Sequence, residues 1–218
     1  GVVAADVNDD GRPDFYVAND ASDNQLYFNR GGRLEERGLA AGVAVGEIGK
    51  YDGSMGVDVG DFDGSGRASL WVTNFQGDVH ALYQNQGHES FLHRSHASGI
   101  AAIGQHYVGF GTGFLDIDND GWEDLVIANG HVAQHPVLGS TYRQKPVLLR
   151  NVESRDKRFF QEVTSRGGAF FDIPALGRGL GIGDLDDDGR SDLVFVHSNS
   201  PVALLRNIAA ESDPHGWI

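Results

Sequence analysis

An all-β fold, a β-propeller segment of about four blades, is what this sequence predicts on three observations. A nine-residue acidic pattern recurs four times, short apolar runs rich in Val, Ile, Phe and Trp follow each copy, and 31 glycines accompany a single methionine. Runs of four to six such residues suit strands and are too short for helices. A unit of roughly 50 residues with several strands matches a propeller blade. A β-solenoid is the alternative, but its coils are usually shorter than this period.

Each unit reads in one order: a glycine, a strand, the acidic turn, a second strand, a polar turn, a third strand and a longer connection. The acidic copies lie at 6–14, 61–69, 116–124 and 184–192, so their starts are 55, 55 and 68 residues apart. A glycine stands five residues before each: Gly1, Gly56, Gly111 and Gly179. Apolar runs follow at 15–18, 70–73, 125–128 and 193–196, and then a Leu-x-x-Asn sequence ending at Asn29, Asn85, Asn151 and Asn207. The polar turn opens on Asn19, Asn74 and Asn129, with His197 in the fourth unit, which puts that turn in question. The third unit carries 11 to 12 extra residues between Asn129 and Lys145.

The acidic copies follow D-x-D-x-D-G-x-x-D. Side chains at positions one, three and five converge on a point, Gly at six permits a sharp turn, the carbonyl of position seven faces inward, and the carboxylate at nine closes the cage. A set of hard oxygen ligands this large suits Ca²⁺ better than Mg²⁺. The expected ligands are Asp6, Asn8, Asp10, Asp14 and the Arg12 carbonyl; Asp61, Asp63, Ser65 and the Arg67 carbonyl; Asp116, Asp118, Asp120, Asp124 and the Trp122 carbonyl; and Asp184, Asp186, Asp188, Asp192 and the Arg190 carbonyl. Three to four sites are expected, because Ser65 and Ser69 leave the second copy with two carboxylates. These are not EF-hands: position twelve, a bidentate Glu there, is Val17, Val72, Ile127 or Phe195 here, and a strand-like run follows. The four copies hold 16 of the 31 acidic residues, and four divalent cations would bring the net charge from -14 to -6. Packing those carboxylates without cations would set up strong mutual repulsion.

Composition narrows the partners. A net charge of -14 disfavours nucleic acid and anionic membrane surfaces. The chain has no cysteine, which excludes disulfides and thiolate metal sites. No apolar run approaches the 18 residues of a membrane span.

Taken together, the loops and their preceding glycines resemble FG-GAP/VCBS repeats, as in the propellers of integrin α-chains. The stretches 53–61, 126–132, 177–184 and 204–207, followed by His215 to Trp217, resemble more narrowly the ASPIC/UnbV family, to which cartilage acidic protein belongs. That resemblance implies a secreted, calcium-loaded propeller with a role in adhesion or binding. It also implies that 209–218 begin a truncated C-terminal domain opening near Trp217, while the start at Gly1 in mid-repeat leads to the expectation that residues 1–208 are blades of a partial, open propeller.

Other chemistry is weakly signalled. His88, His93 and His96 share one connection, but no H-E-x-x-H occurs, and surface or turn roles are expected. The glycines at 177–183 lead into an acidic turn, not a helix, so no phosphate cradle is expected. Trp71, Trp122 and Trp217 are expected to pack. The function expected is an extracellular or periplasmic calcium-binding module for adhesion or for a protein or carbohydrate ligand, without catalysis. A polysaccharide-acting lyase or hydrolase and a scaffold for a neighbouring domain are the alternatives. Insertions in repeats map to one face, often the binding face. His131, His135, Tyr142 and Arg143 in residues 130–144 are therefore the candidate ligand contacts, against the possibility that the insertion only packs on its neighbours.

Overall fold

The computed structural model describes residues 1–208 except 138, 155 and 156. The proposed start of a C-terminal domain at 209–218, with Trp217, lies outside the described residues.

Four antiparallel sheets follow one another along the chain. Blade 1 is β1 (Val2–Ala5), β2 (Asp14–Val17), β3 (Gln25–Asn29) and β4 (Leu34–Glu36). Blade 2 is β5 (Ser54–Gly60), β6 (Ser69–Asn74), β7 (Ala81–Asn85) and β8 (Phe91–His93). Blade 3 is β9 (Gly109–Leu115), β10 (Asp124–Asn129), β11 (Val147–Ser154) and β12 (Lys157–Glu162). Blade 4 is β13 (Gly177–Gly183), β14 (Asp192–His197) and β15 (Ala203–Leu205). Strands are hydrogen-bonded in chain order within each blade, the meander expected of a propeller.

The sequence anticipated three strands per unit, and the structure adds a fourth to blades 1, 2 and 3. Those outer strands are short or carry charge, as in Leu34–Glu36 and Lys157–Glu162, so they lack the apolar run that marks an inner strand. Their conformation comes from pairing with the third strand, as in Asn151↔Phe160 and Asn85↔Phe91.

The core lies between consecutive blades. Tyr16 and Phe28 of blade 1 pack with Leu70 and Tyr83 of blade 2. Trp71 and Leu82 of blade 2 pack with Leu125 and Phe160 of blade 3, and Val126 and Leu148 of blade 3 with Leu193 and Phe195 of blade 4. Every residue of β6 and β10 is buried, because both faces of blades 2 and 3 are covered. Trp71 is wholly buried, its indole N–H donating to Thr112 Oγ1 at 2.6 Å, so its role is packing.

The glycines that precede the loops bring the inner strands together. A Cβ at Gly56 would overlap the Phe110 carbonyl oxygen, and one at Gly111 would overlap the Leu180 amide. The innermost backbones are therefore closer than any side chain allows. The contacts pass from β1 to β5, from β5 to β9 and from β9 to β13.

Candidate metal centre

Each acidic loop joins the first two strands of its blade, and position nine is the first residue of the second strand: Asp14, Ser69, Asp124 and Asp192. The loop shape is built by its own first residue. Asp6 accepts hydrogen bonds from the backbone N–H groups of Asp10 (3.1 Å) and Gly11 (2.7 Å). Asp61 accepts from Ser65 and Gly66, Asp116 from Asp120 and Gly121, and Asp184 from Asp188 and Gly189. Positions four and six are left-handed throughout: Asp9, Gly64, Asn119 and Asp187 at four, and glycine at six. Asn, Asp and Gly tolerate that region best, so the sequence fits the turn.

Positions one, three and five then converge. Carboxylate oxygens of Asp116, Asp118 and Asp120 lie within 4.8 Å of one another, and so do those of Asp184, Asp186 and Asp188. Loop one has Asn8 at position three between Asp6 and Asp10, and loop two keeps Asp61 and Asp63 alone. Among the described residues, the Asn8 Oδ1 and both Asp118 oxygens are buried without a hydrogen-bond partner. Arg150 Nη2 stands 2.6 Å from Asp118 Oδ2, an ion contact outside hydrogen-bond alignment, and among the described residues the buried Arg150 Nε also lacks a partner. Burial and then the neighbouring Asp120 push the Asp118 carboxyl above its ordinary range. Elsewhere arginines sit against the same positions: Arg12 on Asp10 at 2.5 Å, Arg190 on Asp188, and Arg206 on Asp186. An all-oxygen donor set with orphaned buried oxygens at position three fits a hard divalent cation.

Position nine has a structural task in addition. Asp14, Asp124 and Asp192 are buried, and each spans two backbone N–H groups. Asp124 accepts from Ile117 at 3.2 Å and Asn151 at 2.7 Å; Asp14 accepts from Val7 and Asn29, and Asp192 from Leu185 and Asn207. Burial pushes the Asp124 carboxyl up to about 8 and raises that of Asp14. Ser69 does half of this work, accepting only from Asn85 N–H among the described residues.

The Leu-x-x-Asn asparagines tie each loop to the next blade. Asn85 donates to the Val7 carbonyl of loop one, Asn151 to Phe62 of loop two, and Asn207 to Ile117 of loop three, each at 2.8 Å. The position-seven arginines use Nε to reach the asparagine carbonyl of their own blade: Arg12 to Asn29, Arg67 to Asn85, Arg190 to Asn207. Trp122 cannot do so. Arg158, on β12, supplies the missing guanidinium, bonding the Asn151 carbonyl at 2.8 Å while stacking 3.7 Å over the Trp122 ring.

Residues 6–72 match the family model described as FG-GAP-like repeat. The chain is also 26% identical over 225 residues to cartilage acidic protein 1 of Xenopus tropicalis, an alignment covering 94% of this chain and 32% of that protein. This is distant homology over most of the chain, and the chain spans about a third of that relative's length. Among solved structures, a lectin of Agrocybe aegerita described as recognising non-reducing terminal N-acetylglucosamine aligns with a TM-score of 0.46 and 16% identity, covering 92% of this chain and 50% of that one. The expected resemblance to FG-GAP repeats and to cartilage acidic protein is thus borne out.

Away from the loops, the polar turns keep their shape. Asn19 donates to Asp23 O, Asn74 to Val79 O and Asn129 to Lys145 O, and His197 Nδ1 meets Pro201 O at 3.0 Å. The turn that His197 put in question is therefore formed, and Asn129 closes its hairpin despite the insertion. Within that insertion His131 is buried. Its Nε2 meets Gln76 Oε1 at 3.1 Å, its Nδ1 accepts from Ala133 N–H, and its ring lies edge-on to Phe75. Both nitrogens are engaged, so its place is in the packing of blade 3 on blade 2. His135 and Arg143 are exposed and Tyr142 is half-buried, leaving these three on the surface. Gln144, which sequence reasoning passed over, is buried and binds Val108 N–H, the His106 carbonyl and Ser140 Oγ. Its polarity at a strand entry was the available signal. In the other connection, His96 Nε2 lies 2.8 Å and His93 Nδ1 3.5 Å from Glu47, while His88 occupies a left-handed turn.

Proposed function

We propose that this chain is a calcium-loaded propeller module, exported from the cytosol, that binds a protein or carbohydrate partner and does not catalyse a reaction. The observation that carries the reading is the Asp116–Asp118–Asp120 group, whose middle carboxylate is buried with two oxygens that accept no hydrogen bond among the described residues. A cation held there by those side chains, with Asp124 beside them, would neutralise charge that Arg150 meets imperfectly. The same assignment extends to Asp184, Asp186 and Asp188, and with Asn8 to loop one. Calcium then fixes the hairpin ends and leaves the loops between blades as a rigid presenting surface. Extracellular calcium modules work at about 10⁻⁴–10⁻³ M, which suits an exported protein, and the name of the distant relative ties that protein to cartilage.

The test is thermal unfolding in excess calcium and in excess chelator. Binding confined to the folded state raises stability by about 2.7 kcal/mol at a hundredfold excess over Kd. A higher Tm in calcium, with a smaller rise in Asp118→Asn, is expected. An identical Tm in both conditions would overturn the reading.

A further inference from the structure

Between blades 2 and 3, on the side of the acidic loops, lies a cleft of about 470 Å³. That is within the size range of small-molecule sites, roughly 300–1,000 Å³. Its walls carry three cationic side chains against two carboxylates. Arg94 stands on the blade 2 side, and Lys157 and Arg158 on the blade 3 side. Arg12, Arg30, Arg150, Arg190 and Arg206 are each paired with carboxylates. The half-buried Arg94 and the exposed Lys157 have no hydrogen bond or ion pair from their side chains among the described residues. Arg158 is fixed, with Nε on Asn151 Oδ1 at 2.9 Å and its plane over Trp122. Three cationic groups, one of them immobilised, therefore face one cavity in a chain of net charge -14.

The remaining lining selects the ligand class. Asp63, held by Gln84 Nε2, and Glu153 face the same cavity. These carboxylates accept from hydroxyl groups, which a saccharide offers and a glutamate peptide does not. Ser98, buried and with its Oγ donating to the Ser95 carbonyl, bounds the cavity without a free hydroxyl proton. A ligand satisfying both sets carries an anionic substituent on a body rich in hydroxyl donors.

We propose that the cleft between blades 2 and 3 binds a saccharide bearing a carboxylate or sulfate group, with Arg94 and Lys157 holding the anion and Asp63 and Glu153 accepting from the ring hydroxyls. Arg158 bounds the site as a fixed guanidinium. This rests on the binding-module reading and names the partner class for it. The cleft also accounts for Trp122: an indole at position seven displaces the usual arginine, and its replacement arrives from β12 directly beside the cavity.

The experiment is calorimetric titration of the calcium-loaded chain with four probes: a hyaluronan tetrasaccharide, a sulfated chondroitin tetrasaccharide, neutral chitotetraose and a tetraglutamate peptide. Saturable binding of one or both charged saccharides, at least tenfold tighter than chitotetraose or the peptide, is expected. The two charged probes distinguish carboxylate from sulfate recognition. Arg94→Ala and Lys157→Ala should each weaken that binding about tenfold without changing the calcium-dependent rise in Tm. Binding of neither charged saccharide, binding unchanged in both variants, or preference for the peptide would overturn the proposal. A calcium-dependent Tm retained alongside any of these results would leave the module reading standing, whereas loss of the calcium effect in the unaltered chain would remove that reading alone.

Discussion

Loops two and three share a backbone and differ in what that backbone holds. In both, the first aspartate caps the N–H groups of positions five and six, and a glycine turns the chain at six. Loop three then gathers Asp116, Asp118 and Asp120 and buries Asp124 beneath them. Loop two has Ser65 and Ser69 instead, and its Asp63 turns to Gln84. The turn therefore depends on position one and its glycine. The need for a cation depends on positions three, five and nine, because there carboxylates gather, buried at three and nine and exposed at five in loop three.

The largest effect should come from position nine. Asp124→Ala leaves the Ile117 and Asn151 N–H groups unpaired, at about 1–3 kcal/mol each, so destabilisation of about 4 kcal/mol is expected in urea unfolding. Ser69→Ala strands only Asn85 N–H and should cost about 1–2 kcal/mol. Equal losses would break the comparison.

At the other end of the hairpin, blade 2 carries a wholly buried His80, whose Nδ1 accepts from Asn74 N–H while Nε2 has no partner among the described residues. Burial lowers its pKa from 6.5 to about 4. The unfolded chain then takes up the proton first. Stability from this group is complete above pH 6.5, falls as the pH drops towards 4, and levels off below that. The loss reaches about 3 kcal/mol at the linkage slope of ~1.4 kcal/mol per pH unit. His80→Asn keeps an acceptor for Asn74 and should flatten that part of the profile; an unchanged profile would exonerate His80.

A smaller difference is expected from the asparagine ties. Asn151 bonds the Phe62 and Glu123 carbonyls, whereas the Asn29 side chain, among the described residues, reaches only Pro13 O and Gly32 N–H, at the surface. Asn151→Ala should cost about 2 kcal/mol and Asn29→Ala less than about 0.5 kcal/mol by chemical denaturation. A reversed order would mean that the loops are not what the asparagines secure.

The smallest change in stability, and the sharpest test of the comparison, is to convert loop two. Ser65→Asp with Ser69→Asp should raise the calcium stoichiometry by one per chain in titration calorimetry, while lowering Tm slightly in chelator. No change in stoichiometry would show that carboxylate count is not what separates the two loops.

The repeated units, the loop turns and the convergence of positions one, three and five were legible in the sequence. They are local, set by Asp and Gly at fixed spacing and by short apolar runs. So was packing for Trp71. The fourth strands were not, because Leu34–Glu36 and Lys157–Glu162 are extended by their neighbours and not by their own pattern. His131 was grouped with the candidate ligand contacts, since nothing local announces that Gln76 and Phe75 of the previous blade enclose it. The sequence showed that Asn85, Asn151 and Asn207 recur. That each one binds the loop of the blade before it, across 78, 89 and 90 residues, is a fact of tertiary structure. The same holds for Arg158 taking the position-seven role beside Trp122. Hydrogen bonds and stacking act over a few ångströms, so groups far apart in the chain become partners only when the blades are stacked.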